Sequence, residues 1–571
     1  MWSVVEMMQN LISIALTIGI LALVAWRVFG GRGDGIARGQ GIRRFFQYGT
    51  QFLLLIISAV GATGLISRAL GRSTTLTGGQ SDLALDIAFT VVGIPLFVTM
   101  ALWTRRIMNQ DAGEVKSLAW AIASTATTIT ALGVSMYATF NVGLWVVGIN
   151  EYDGFDLAQL LVWGVVLVTS WTIDRAYTPT ERGRPHLFLG SAVGLLVSSV
   201  AIANTLTAAF ELLLRSSGQM IYSDNLDPLW RGLVLAAIGI PVWALYWFEN
   251  AMPTKRDALW YGYVLLLGTA GGFIASIASA STVLYRGLVW LVGDPTTTSA
   301  AVHFRDVPAA AAVTLVGAGI WWYHQGKMAT PGPRNEIDRV FDYSMSAIGL
   351  VATGVGIGYA VIAVIEGITS ATVLTGGSVT NALLLATTLL VVGTPVWTFY
   401  WARIGQHVIA NRSAELAAPT RRAYLFLLFG VGGIAAIASL VTGVYLFADD
   451  LLATGLSSNT FYRMRFALAT LISTAGIAGY HWMIYDDERE AMKAQHHGPH
   501  YVLLIGPKDD ELEHQISHIT GGRVHHWTPT NGFAGTWTHS AVLHEVATCK
   551  DDTLIMFAEG SRLLAVPVHR D

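Results

Sequence analysis

Apolar stretches long enough to cross a lipid bilayer recur from one end of this chain to the other, and no other feature limits its fold as strongly. LISIALTIGILALVAW (11–26) is the first, and six pairs follow at roughly 44–104, 117–174, 186–248, 257–324, 340–404 and 422–484. A helix of about 20 apolar residues, rising 1.5 Å per residue, spans a hydrocarbon core about 30 Å thick. The composition agrees. Hydrophobic residues make up 53% of the 571 and charged residues 13%, with a mean hydropathy of +0.51, where soluble domains carry about 25% charged residues. A string of soluble domains is therefore excluded. The sequence predicts an all-α polytopic membrane protein of about 13 transmembrane helices, a first span (10–29) followed by six helical hairpins.

No basic residue precedes the first stretch and no small-residue cleavage site follows it, so it reads as a retained span and not as a secretory signal. The loops between hairpins gather nineteen Arg and Lys, among them Arg43, Arg44, Arg105, Arg106, Arg334, Arg403 and Arg421. The turns inside hairpins, such as NEYDGFD and TVLTGGSVTN, are polar or acidic. Basic loops stay in the cytoplasm. Thirteen spans then put the N-terminus outside and the C-terminus inside. Arg supplies 29 of the 35 basic residues, which fits a GC-rich bacterial genome and a bacterial inner (plasma) membrane. The lone cysteine, Cys549, excludes an intramolecular disulfide. A formal net charge of −3 gives no basis for a nucleic-acid partner.

One phrase is copied along the chain. GIPLF (93–97), GIPVWALYW (239–247) and GTPVWTFYW (393–401) each fall in the second helix of the first, third or fifth hairpin. The remaining hairpins end in related aromatics: Trp171; Trp321, Trp322 and Tyr323; Tyr480 and Trp482. Duplication of a four-helix unit accounts for this pattern. The expected domains are an N-terminal helix (1–30), three tandem four-helix repeats (43–177, 183–328 and 338–487) and a small cytoplasmic α+β domain (498–571). Within a span, Pro95, Pro241 and Pro395 each remove an i→i−4 bond and are expected to bend the helix. Gly93, Gly239 and Gly393, two residues earlier, leave room for a neighbouring helix. Trp243, Tyr246 and Trp247, and likewise Trp397, Tyr400 and Trp401, are expected to anchor at the cytoplasmic headgroups. The competing reading is an aromatic box for a pigment, quinone or lipid.

The G-x-P-x-W phrase on the second helix, with an aromatic-basic opening such as RRAYLFLLFG on the first, resembles the bacterial membrane domains grouped as domain of unknown function 5671. The resemblance covers roughly 43–485. It implies a four-helix module of unassigned activity with no established catalytic residues to carry over. The even-numbered hairpins depart from the motif.

Ion-coupled carriers keep ionisable groups near the bilayer midplane, and no expected span has a charge at its centre. Arg68, Glu211, Arg286, Glu366, Asp449 and Asp450 lie at outer helix ends, where they read as interfacial anchors and pairs between repeats; a mixed-sign ring for an external partner is the alternative. Thr125, Thr127, Thr128 and Thr130, with Asn141 further out, form the deepest polar cluster and read as helix-to-helix glue. His324 and His481 invite a check for bis-histidine haem, which sequence cannot place face to face. No cofactor is predicted.

In the tail, YVLLIG is expected as a strand, DDELEHQISHITGG as a helix stopping at Gly521 or Gly522, and VHHWTP as a strand. AVLHEVAT is a strand or a short helix, and TLIMFAEGSRLLAVPVHR a hairpin turning at Glu559–Ser561. His514 and His518 stand at i,i+4 on one helix, a metal-compatible spacing. His525 and His526, with His539, His544 and Cys549, supply further candidate ligands, against solvated histidines as the plainer reading. No phosphate loop, nucleophile elbow or dinucleotide fingerprint occurs. The expected class is a non-catalytic membrane scaffold, sensor or complex subunit embedded in the lipid bilayer. Its tail (498–571) would engage a cytosolic or membrane protein, and homo- or hetero-oligomers are both open. The alternatives are a conduit or carrier for an uncharged or lipidic molecule, and a cofactor-binding electron-transfer subunit.

Overall fold

A computed structural model describes residues 35–71, 80–177, 185–216, 226–328, 334–369, 378–453, 455–495, 499–529, 535–549, 551–560 and 562–568. The expected first span and the turns at 72–79, 217–225 and 370–377 lie outside the described residues. The chain divides into two compact units, residues 1–333 and 334–571.

Among its described residues the first unit holds eight long helices in four hairpins: α1 (Gly35–Ala69) and α2 (Gln80–Gln110), α3 (Leu118–Val146) and α4 (Gly154–Tyr177), α5 (Pro185–Ser216) and α6 (Asp227–Ala251), α7 (Ala258–Val292) and α8 (Val307–Met328). The second unit begins with α9 (Glu336–Thr369), α10 (Val379–Ala410), α11 (Pro419–Ala453) and α12 (Ser458–Gln495). One packing pattern occurs three times. The first helix of each set of four (α1, α5, α9) packs against both its hairpin partner and the fourth helix (α4, α8, α12).

Among the described residues, eleven helices are long and apolar enough to cross a membrane. The count therefore differs from the thirteen expected. One expected span is not described, and α8 is outside the set because Trp321, Trp322, Tyr323, His324 and Gln325 crowd its last turns with polar-edged side chains.

The glycines of the copied phrase explain how hairpins close. A Cβ on Gly93 would stand 3.2 Å from the backbone nitrogen of Ser58, one on Gly239 2.8 Å from that of Ser198, and one on Gly393 2.7 Å from that of Thr353. In all three places the facing hydroxyl folds back onto its own helix: Ser58 donates to Leu54 O at 2.7 Å, Ser198 to Gly194 O at 2.6 Å and Thr353 to Gly349 O at 2.9 Å. A hydroxyl satisfied inside its own helix carries no unpaired donor into the contact.

The helix runs on through Pro95, Pro241 and Pro395. Only after Pro241 does the winding change, to a π-helix over Ala244–Ala251, and a second π segment, Tyr263–Gly271, opens the next helix. The wider π turns lie C-terminal to Pro241, whose missing N–H leaves Ala237 O one turn earlier without its i→i−4 donor.

The tail is a four-stranded sheet in the order β2-β1-β3-β4, built from β1 (Tyr501–Ile505), β2 (Arg523–Trp527), β3 (Thr553–Glu559) and β4 (Arg562–Val568). β1 pairs parallel with β2 and β3, and β3 pairs antiparallel with β4. α13 (Asp510–Thr520) starts at Asp509, which caps Leu512 N–H, and ends at Gly521 in the left-handed conformation, φ 62°. AVLHEVAT belongs to a helix, α14 (His539–Thr548). Val502, Leu504, Leu554 and Met556 from the sheet meet Leu512, Ile516, Val542 and Val546 from the two helices in one core.

Candidate functional site

The copied aromatic phrase builds an interhelical cluster in two places. In the first unit, Trp247 donates its indole N–H to Tyr323 Oη at 2.9 Å, and Trp243 donates to Tyr263 Oη at 2.8 Å. Trp247 is buried, and its ring lies 4.6 Å from that of Tyr263 and 6.0 Å from that of His324. In the second unit Trp401 donates to Tyr480 Oη at 2.8 Å, stacks on Tyr424 at 5.8 Å and lies 5.6 Å from His481. Both histidines are fully buried, and each Nδ1 bonds the carbonyl four residues back, Ile320 O at 2.9 Å and Ile477 O at 2.8 Å. A carbonyl can only accept, so Nδ1 carries the proton and Nε2 keeps a lone pair. Neither Nε2 has a hydrogen-bond partner in the structure. These residues were expected as headgroup anchors. In the structure Tyr246, Trp247 and Tyr400 are buried, while Trp243, Trp397 and Trp401 are half-buried.

A second kind of constellation occurs within each unit, at its own basic loops. Glu114, on a one-turn helix between α2 and α3 (Ala112–Val115), is fully buried and pairs with Arg43 and with Arg44 at 3.1 Å. Glu415 occupies the matching turn between α10 and α11 (Arg412–Ala417) and takes Arg339 Nη2 at 3.0 Å and Arg334 Nη1 at 3.2 Å. Arg334 also reaches Asp342 at 2.7 Å, and Arg403 stands 3.3 Å from the same carboxylate. Arg421 binds Glu488 and Tyr343, the latter at 2.7 Å. Charges taken from water persist only when paired. The clasps thus lock the ends of neighbouring helices with matched ions. Sequence reading counted the arginines as topology signals and passed over Glu114, Asp342 and Glu415. Only Glu415 carried a local signal, as an isolated acid inside an otherwise basic loop.

A family model described as Domain of unknown function (DUF5671) matches residues 44–173, 184–319 and 339–476. The chain belongs to this family. No curated protein and no solved structure matches it. The DUF5671 matches include the copied Gly-x-Pro phrase, Glu114 and Glu415, but Tyr323–His324 and Tyr480–His481 lie just past the ends of the second and third.

In the DUF5671 region, five of the six charges expected at outer helix ends sit in ion pairs. Arg68 meets Asp86 at 3.4 Å, Arg286 meets Asp306 at 3.0 Å, Glu366 meets Arg465 at 3.0 Å, and Arg463 holds both Asp449 and Asp450. Thr128 donates to Ser170 Oγ of α4 at 3.2 Å, and Asn141 to Asp156 at 3.0 Å. Beside Pro95, a cleft of about 370 Å³ is lined by Leu55, Ser58, Ala62, Phe97, Leu161 and Val165 among others, with Ser58 its one polar side chain.

The tail histidines diverge. His514 and His518 are exposed on α13, while His525 and His526, adjacent on β2, point to opposite sheet faces. His525 stacks on Tyr501 at 5.1 Å, His526 Nε2 bonds Pro507 O at 2.8 Å, and His539 pairs with Asp509 at 2.7 Å. Among the described residues no three His, Cys, Asp or Glu side chains converge as a metal site.

Proposed function

We propose that this protein is a non-catalytic membrane scaffold or complex subunit. Three four-helix repeats form its body, an N-terminal span completes thirteen, and the tail faces the cytoplasm of a bacterial cell and engages a protein partner. The observation that carries the reading is the pairing of Trp247 with Tyr323 and of Trp401 with Tyr480. The indole N–H groups of Trp243, Trp247 and Trp401 are taken up by tyrosine hydroxyls outside the phrase and are not offered to a ligand, while Tyr246 Oη and Trp397 Nε1 have no hydrogen-bond partner in the structure. Pairing of the outer-end and clasp charges points the same way, since a proton or ion path needs ionisable groups that exchange partners. Purification from native membranes tests it. A stoichiometric protein partner, lost when 498–571 is deleted from an otherwise intact chain, is the expected result. A chain that purifies alone with a visible absorption band, or alone with stoichiometric lipid, overturns it.

A second reading, a carrier or conduit for a lipidic molecule, draws on the apolar cleft beside Pro95. Its lining is aliphatic with a single phenylalanine, which suits an acyl chain better than a planar ring.

A further inference from the structure

Glu114 and Glu415 neutralise the arginines beside them in the first and third sets of four helices. Among the described residues the second set, α5–α8, has no such clasp. Its loop between α6 and α7 reads MPTKRD (252–257). The one acid there, Asp257, is spent on the start of α7, where it accepts from Trp260 N–H at 2.9 Å. The cations of this region lie on aromatic rings instead. The Arg175 guanidinium stands 5.4 Å from the Trp171 ring, that of Arg256 4.9 Å from the Trp260 ring, and Lys327 Nζ 5.1 Å from the Tyr323 ring. None of the three, nor Lys255 in the same loop, pairs with a carboxylate among the described residues. They converge on one short segment. Arg175 Nη2 donates to Asn250 Oδ1 at 3.0 Å, the Trp260 indole N–H donates to Met252 O at 3.4 Å, and the Tyr323 hydroxyl meets Met252 Sδ at 3.7 Å. The ends of α4, α6 and α8 and the start of α7 thus bring three ring-mounted cations to residues 250–252. Of the other acids in this region, Asp174 is buried and lies 3.8 Å from His186, and Glu249 is exposed. Four cations against one exposed acid leave positive charge in excess.

We propose that this cluster binds the phosphate of an anionic phospholipid, with Arg175, Arg256 and Lys327 as its donors. A ring beneath a guanidinium or ammonium holds the cation from one side and leaves N–H groups open on the other. An arginine fork held in this way can take two phosphate oxygens at once. Position favours a lipid over a soluble anion. The cluster lies at the ends of helices that cross the membrane, and exposed apolar side chains stand within five residues of it along each. These are Ile173 on α4, Phe248 on α6, Leu259 on α7 and Trp322 on α8, at 39%, 39%, 44% and 73% exposure. Acyl chains lying on that surface bring a headgroup to the level of the cations, as basic pockets between membrane helices do for acidic lipids. The arginines of the clasps differ, because a buried carboxylate already occupies their N–H groups. This inference goes beyond the scaffold reading and fails separately from it, since a lipid held here alongside a protein partner leaves that reading intact.

Native mass spectrometry of the full chain in detergent tests it, with phosphatidylglycerol titrated against phosphatidylcholine. The wild-type chain is expected to hold phosphatidylglycerol in preference to phosphatidylcholine. R175Q/R256Q is expected to weaken that binding about 25-fold, at about fivefold for each cation lost near a headgroup. R105Q/R106Q removes two exposed arginines at the end of α2 that are stacked on no ring, and it is expected to leave the binding unchanged. Where R175Q/R256Q fails to fold, K255Q/K327Q takes its place with the same expected loss. A wild-type chain without the preference overturns the proposal. So does an equal loss in R105Q/R106Q, which assigns the effect to overall charge. Displacement of the phosphatidylglycerol by millimolar glycerol phosphate also overturns it, and assigns the cations to a soluble anion.

Discussion

The indole N–H of Trp401 donates to the hydroxyl of Tyr480 across 2.8 Å, and seventy-nine residues separate the two in sequence. Trp247 and Tyr323 repeat the bond at 2.9 Å. Each links the second helix of a set of four to the fourth. Removing the donor while keeping the ring volume isolates its contribution. A double-mutant cycle of Trp401→Phe with Tyr480→Phe is expected to give a coupling of about 0.6 kcal/mol, the size of an average interhelical hydrogen bond in a membrane protein. Unfolding in detergent micelles provides the readout, and a coupling of zero would show the bond to be incidental.

The clasps carry larger consequences. Glu415→Ala leaves Arg339 with Glu336 and Arg334 with Asp342 as their remaining counter-ions, at a cost of about 1–3 kcal/mol. Glu114→Ala has the same character. Arg43→Ala is much milder, because the Arg43 side chain is 42% exposed and Arg44 continues to hold Glu114. Ranking the three variants by chemical denaturation checks this order.

Close helix contact makes two glycines of similar sequence context behave oppositely. A Cβ at Gly349 would lie 2.4 Å from Trp397 N, whereas at Gly405 nothing lies within 4 Å. Gly349→Ala is expected to cost about 1–3 kcal/mol through overpacking. Gly405→Ala is expected to gain about 0.5–1 kcal/mol, as alanine does in a helix interior. Thermal midpoints moving in the same direction for both would contradict the packing.

The tail holds a pH-sensitive cap. The backbone N–H of Leu512, and next to it His539, hold the Asp509 carboxyl below its ordinary value of 3.8. Because the folded value is depressed, the cap's contribution is complete above the ordinary value and is lost as pH falls through the depressed one. Amide exchange across 510–520 is expected to accelerate in that window. Asp509→Asn keeps the cap and abolishes the acid step. Asp509→Ala loses about 1 kcal/mol at neutral pH.

Much of the architecture is legible along the chain. Apolar length announces helices such as α9 and α11, since a bilayer core demands about 20 residues whatever the neighbours. The three Gly-x-Pro phrases announce repetition, since a duplicated contact keeps its glycine. The tail's strands and α13 follow from short-range signals, alternation and the Asp509 cap. Other features are silent because they join distant residues. Nothing near Glu114 or Glu415 says that an arginine tens of residues earlier will neutralise it. Nothing near Trp401 says that the Tyr480 hydroxyl will accept its hydrogen bond.

Periodicity and chain length, which act locally, thus determined the helices, their repetition and the make-up of the tail. Tertiary structure alone decided which charges are buried in pairs, which aromatic edges are satisfied, and which face of the tail sheet the two helices cover. Burial and hydrogen bonding depend on what the fold brings alongside, and in this chain the decisive neighbours come from helices far apart in sequence.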